Sequence, residues 1–198
     1  MPTFATAPAT VTGCLYPAFK EWQVIVDALA AGEQSLLLRK GCIAEGRGGF
    51  DSAHAERFWL FPTQFHAQLE KTKPALARHW ANPSDPTPDS HVTLTAFAEV
   101  IHQQVIADWA TVVGLDAFHG WTETAVREKF DWGNAPGLHA LVVRVYRLSS
   151  PITLERTPAM AGCKSWIELP VCFDDHSSTP VVMPEATSAA LLAALGHC

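Results

Sequence analysis

The chain has 198 residues, of which 48% are hydrophobic and 17% charged, with seven tryptophans and a net charge of −6. Folded domains usually carry about 25% charged residues, so this chain is poor in charge and rich in large apolar side chains. That composition excludes a disordered chain, which would lack the apolar area to offset its ordering entropy, and it excludes a broadly basic footprint for nucleic acid.

Residues 1 to 16 are small, Pro- and Thr-rich and nearly uncharged, and read as a flexible tail; residues 17 to 198 read as a single domain. The spacing of Phe19, Trp22, Ile25, Val26 and Leu29 predicts a helix over about 17 to 31, opened by Pro17 and ended by Gly32. Gln34 to Lys40 is a short apolar run bounded by Gly32 and Gly41, the pattern of a strand buried on both faces. The glycines between Gly41 and Gly49 read as a loop. Arg57 to Phe61 reads as a second strand halted by Pro62, after which Thr63 is placed to cap a helix through Glu70.

Three prolines in residues 82 to 90 mark a loop. A second long helix is predicted over 93 to 112 from Phe97, Val100, Ile101, Val105 and Trp109. Residues 122 to 130 read as another helix with Thr122 as its cap, and Leu138 to Leu148 as a long β-branched strand. Trp166 to Leu169 reads as a short strand and 185 to 195 as a terminal Ala/Leu helix. Helices and strands alternate irregularly, which favours an α+β domain: a small mixed sheet or partly open barrel flanked by three to four helices.

Several chemistries fail at the level of motifs. The five cysteines (Cys14, Cys42, Cys163, Cys172 and Cys198) are odd in number and form no CxxC pair, against a disulfide framework or zinc knuckle. Nine histidines are scattered without HxxxH or HExxH spacing, so no metal site is identified. There is no GxSxG elbow, P-loop or GxGxxG, and Glu168 has no adjacent lysine of the kind restriction-type nucleases use. Cys163 beside Lys164 is a thiol next to a cation, more simply read as structural. No stretch reaches the length of a membrane span and no basic leader is visible, so a reducing cytoplasm is the expected compartment.

A set of blocks in fixed order carries a resemblance. They are Lys20-Glu21-Trp22, Leu37 to Gly41, Phe58 through Thr63 with His66, Trp121-Thr122-Glu123, Arg127, Trp132, Arg144 to Leu148 and Gly162 to Trp166. Together they resemble a bacterial family, domain-of-unknown-function family 1802, over nearly all of residues 15 to 170. Cys42 stands where a second glycine is expected. The resemblance implies a link to restriction-modification genes and no assigned activity. The run from Gly32 to Arg39 is also similar to the opening of ASCH domains among the PUA-like barrels, which bind RNA or modified bases and in some cases cleave RNA. The acidic residue of that pattern is replaced here by Leu37.

Three functional readings follow. In the first, the chain binds DNA or RNA: Arg39, Lys40, Arg47 and Arg144 meet phosphates while Trp22, Trp59 or Trp121 stacks on an exposed base. In the second it is a phosphodiester hydrolase, with Glu21 or His66 as base and Arg39 and Lys40 stabilising negative charge, and magnesium as the metal a nuclease would use. In the third it is a non-catalytic subunit with a protein partner, in keeping with its low charge and many tryptophans.

Overall fold

The structure is a computed structural model that describes residues 15–40, 56–64, 68–80, 90–162 and 164–196. The expected tail through residue 14, the glycine loop, the loop at 82–89, Arg47, His66 and Cys163 lie outside the described residues.

Seven strands form one mixed sheet: β1 (Tyr16–Trp22), β2 (Leu36–Arg39), β3 (Arg57–Thr63), β4 (His91–Ile106), β5 (Leu138–Glu155), β6 (Trp166–Leu169) and β7 (Ser178–Pro180). Their order is β2-β5-β4-β3-β1-β6, with β7 added on β5; among the described residues only the β1–β3 pair is parallel. β2 and β6 are the two ends of this path and do not pair, so the sheet stays open among the described residues. The helices are α1 (Gln23–Ala30), α2 (Gln68–Lys71), α3 (Trp109–Gly114), α4 (Glu123–Asp131) and α5 (Glu185–Ala194), of which α1, α4 and α5 exceed two turns. The architecture is α+β, as expected.

Local signals placed several elements correctly. Thr122 Oγ1 accepts from the Ala125 backbone N–H at 3.3 Å and caps α4. Gly32, with φ 75°, lies just beyond α1, in the left-handed region that a residue with a Cβ avoids. A Cβ there would also stand 2.9 Å from Val181 Cγ1.

Two predicted helices are corrected. The first half of the 17–31 segment is β1, and helix begins only at Gln23. Pairing of Ala18–Trp22 with β3 and of Tyr16–Phe19 with β6 overrides the helical spacing of Phe19 and Trp22. Residues 91–106 are likewise the 16-residue strand β4, not a helix. The register shift at Val100/His102 inserts one extra residue, Ile101, into β4 and breaks its two-residue alternation, while at Leu94/Ala96 the surplus residues lie on β5. β3 also runs through Pro62 to Thr63, where the sequence suggested a stop and a helix cap. β4 pairs β3 only over Arg57–Trp59, so at Pro62 that side of β3 has no ladder partner to miss the absent N–H.

Apolar side chains bury themselves on both faces of the sheet. One cluster joins Phe19, Phe58, Leu36–Leu38 and β5 to the inner faces of α1, α4 and α5. The other joins Trp59, Phe61 and Phe97 to Met160, Val171 and Phe173 from the segment around β6. Each fully buried large side chain contributes about 1.5–3 kcal/mol relative to exposure, and the two clusters hold the sheet from both sides.

Candidate functional site

Charged groups collect where β1 and β3 finish and the Arg39 side chain of β2 reaches β1. Glu21 is the penultimate residue of β1 and is buried, with its Oε1 accepting from the Trp22 N–H at 2.8 Å. Its Oε2 is buried and has no hydrogen-bond partner. A buried carboxylate oxygen without a donor is costly and points to an incomplete site. The parallel neighbour β3 braces this end, because Thr63 Oγ1 donates to Glu21 O at 3.0 Å.

Arg39 closes β2 and reaches across the open side of the sheet. Its Nη1 donates to Lys20 O at 3.4 Å and its Nη2 to Ser165 Oγ, the residue before β6. The guanidinium lies 4.5 Å from the Phe19 ring centroid. A single side chain thus ties the two unpaired ends of the sheet and stands beside the Glu21 face of β1.

The third group, Lys129, comes from α4 and is absent from any motif. Its Nζ lies 3.2 Å from the Trp121 ring centroid, and Trp22 packs edge-on against the same ring at 4.5 Å. Burial pulls the Lys129 ammonium down to about 8; the Glu21 charge opposes this, and Arg39 and Lys71 add to it. Lys71 at the end of α2 pairs with Glu128. Glu21, Arg39 and Lys71 therefore all act on the Lys129 ammonium, which gathers three cations and one carboxylate in this part of the fold. Sequence reasoning missed Lys129 because no spacing links α4 to β1.

The other expected residues fall elsewhere. Lys40 donates to Phe130 O at 2.8 Å and to Ala135 O at 2.5 Å, so it braces the carbonyl end of α4, where a cation is favoured. Arg144 joins a surface network in which Glu99 accepts from Arg144 at 3.3 Å and from Tyr146 Oη at 3.1 Å. The stacking roles expected of Trp59 and Trp121 are corrected: both are buried to 1% exposure or less and have no free ring face, while Trp22 is half-buried. Trp132, by contrast, is 71% exposed, and sequence reasoning gave it no role. A shallow depression on the outer face of α4 is lined by Glu123, Glu128, Asp131, Thr124 and Arg127, with acids outnumbering the one cation. Among the described residues no three His, Cys, Asp or Glu side chains group closely enough to hold a metal, and no helix is long and apolar enough to cross a membrane.

Fold and site together define an open mixed-sheet α+β domain with a cation-rich sheet end. The family model for a domain of unknown function, DUF1802, matches residues 18–190, and the chain belongs to that family. No curated protein matches it. Among solved structures it is similar to the ASCH protein of Zymomonas mobilis, at 11% identity and a TM-score of 0.41 over 89% of this chain and 93% of that one. A serine-to-alanine variant of the same protein matches at 13% identity and a TM-score of 0.42, covering 69% of this chain and 72% of the other.

Proposed function

We propose that this chain binds nucleic acid through the sheet end formed by β1, β2 and α4. The observation that supports it is that Arg39 and Lys71 act, with Glu21, on the Lys129 ammonium, three cations to one carboxylate in a chain whose net charge is −6. Cations concentrated at one place on an acidic protein select a polyanion locally while the acidic outer face of α4 repels it elsewhere. Arg39 keeps N–H groups beyond the two it uses in the sheet, and a phosphate accepts them in the fork geometry guanidinium favours. A place beside restriction-modification systems fits such a protein and rests on the family resemblance alone, while a cytoplasmic one is the expectation drawn from the sequence composition.

Anisotropy titration with labelled single-stranded and duplex oligonucleotides at low salt tests this. Wild-type protein is expected to bind, and Arg39→Gln and Lys129→Gln each to lower affinity and reduce the slope of log affinity against log salt by about 1. Binding with an unchanged slope in both variants sinks the assignment.

Phosphodiester cleavage is a second reading, and Lys129 is what favours it. An amine held near neutrality beside a buried carboxylate can take a proton from an attacking hydroxyl, with Arg39 stabilising the charge that develops on phosphorus oxygens. Of the four residues expected to act, Glu21 and Arg39 both act electrostatically on Lys129, Lys40 is engaged with α4, and His66 is outside the described residues. If this reading holds, cleavage follows an ionisation near pH 8, and Glu21→Gln moves that midpoint down because the Glu21 charge raises the Lys129 value. Assays with Mg²⁺, Mn²⁺ and EDTA show the metal requirement. Cleavage that survives Lys129→Met together with Glu21→Gln rules the reading out.

A further inference from the structure

Six of the seven tryptophans are buried or half-buried, and Trp132 alone is exposed. It sits in the turn Asp131 to Gly137 that joins α4 to β5, and this turn is closed at its base. Phe130 O accepts from the Gly137 N–H at 3.0 Å and from Lys40 Nζ at 2.8 Å, while Lys40 Nζ also donates to Ala135 O at 2.5 Å. Gly133 and Gly137, with φ of 85° and 142°, supply backbone conformations that other residues rarely adopt. The ring is therefore presented by a braced turn, so little conformational freedom is left to lose when something binds it.

The surroundings narrow what that something is. The residues after Trp132 are Gly133, Asn134, Ala135, Pro136 and Gly137, too small or polar to extend an apolar patch of the kind a protein partner covers. They leave the face of one flat ring open. A cation belongs to the same turn: the Lys40 ammonium has three N–H groups, two of which are used within it, and its Cε would lie 3.8 Å from a Cβ on Gly133, the residue after Trp132. Arg39, the preceding residue, acts on the Lys129 ammonium of α4. A flat ring with a neighbouring cation matches a planar base followed by a phosphate.

We propose that Trp132 is a stacking platform for an unpaired base of a single-stranded nucleic acid, with Lys40 holding the turn and meeting the adjacent phosphate. This rests on the nucleic-acid reading above and goes beyond it by naming the ligand form, a single strand, and the residue that receives its base. A duplex keeps its bases stacked on each other, so Trp132 adds nothing to duplex binding.

The test uses the full chain with a labelled single-stranded oligonucleotide carrying 2-aminopurine, and with the corresponding blunt duplex. Trp132→Ala is expected to weaken single-strand binding about tenfold and to abolish quenching of the 2-aminopurine, with duplex binding changed less than about twofold. Trp132→Phe keeps a ring and is expected to restore most of the affinity, whereas Trp132→Leu, apolar but not aromatic, is not. If wild-type protein binds the single strand and Trp132→Ala binds it equally well, the platform is overturned and the nucleic-acid reading stands. If wild-type protein binds neither oligonucleotide, both fall. Light scattering that shows a dimer dissociating in Trp132→Ala, with no oligonucleotide bound, assigns the ring to a second copy of the chain and also overturns the proposal.

Discussion

Trp59→Ala is expected to destabilise the protein by about 3–5 kcal/mol, the usual range for emptying a large aromatic site. Trp59 is fully buried, and its Nε1 donates to Val171 O at 2.9 Å. Its ring lies 5.6 Å from that of Phe97 and 4.9 Å from that of Phe173, so it joins β3 and β4 to the segment that follows β6. Truncation removes the packing and also leaves the Val171 carbonyl without its donor. Urea unfolding measures the loss. Trp132→Ala is the control: with its ring in solvent, it is expected to change stability by no more than about 0.5 kcal/mol. A loss below about 1 kcal/mol for Trp59→Ala would mean that this cluster does not hold the sheet and that the ring is open to ligands after all.

Stability is also expected to fall as the pH drops from about 6.5 towards 4, through His119. This imidazole is buried beside the Gln34–Gly120 contact, and its Nδ1 has no partner. Burial, and then the nearby Lys73 charge, hold its value down to about 4 from an ordinary 6.5, against the pull of Asp116. Between those two values the unfolded chain takes up a proton that the folded chain refuses, so acidification favours unfolding. At about 1.36 kcal/mol per unit, the full effect approaches about 3 kcal/mol and is complete near pH 4. Other carboxylates and histidines titrate in the same window, so the measurement is a difference. Unfolding free energies of wild type and His119→Gln at pH 7.5, 5.5 and 4.5 should show the shallower dependence in the variant. Parallel curves would exclude His119 as the group responsible.

The same physics explains which parts of the fold were legible. α4 could be located because its cap is local: Thr122 lies three residues from the N–H it satisfies. β5 could be located because a β-branched run such as Leu141 to Val145 suits a strand in most settings. β1 was misread because Ala18, Lys20 and Glu21 are indifferent strand formers, held extended by partners far away in the chain. β4 is hidden because Phe97, Val100, Ile101 and Val105 fall at helical spacing, and the extra residue at Ile101 interrupts its strand period.

The site divides in the same way. Arg39 and Glu21 were visible as charges at the ends of apolar segments. Lys129 was one lysine in an amphipathic helix, and Trp132 one tryptophan among seven. A buried ring and an exposed ring are the same letter.

By itself, then, the charge-poor, tryptophan-rich sequence determined that there is a large core, and it set the local stops, caps and β-branched runs that shape α4, β2, β5 and α5. Those are decided by forces acting within a few residues. The tertiary structure alone decided that β1 and β4 are strands, that Arg39 bridges the open ends of the sheet, and that the Glu21 charge acts on Lys129. It also decided that Lys40 braces the turn presenting Trp132. Each of these depends on hydrogen bonds or charges between segments distant in the chain, whose strength is set by burial and register that exist only once the sheet has formed.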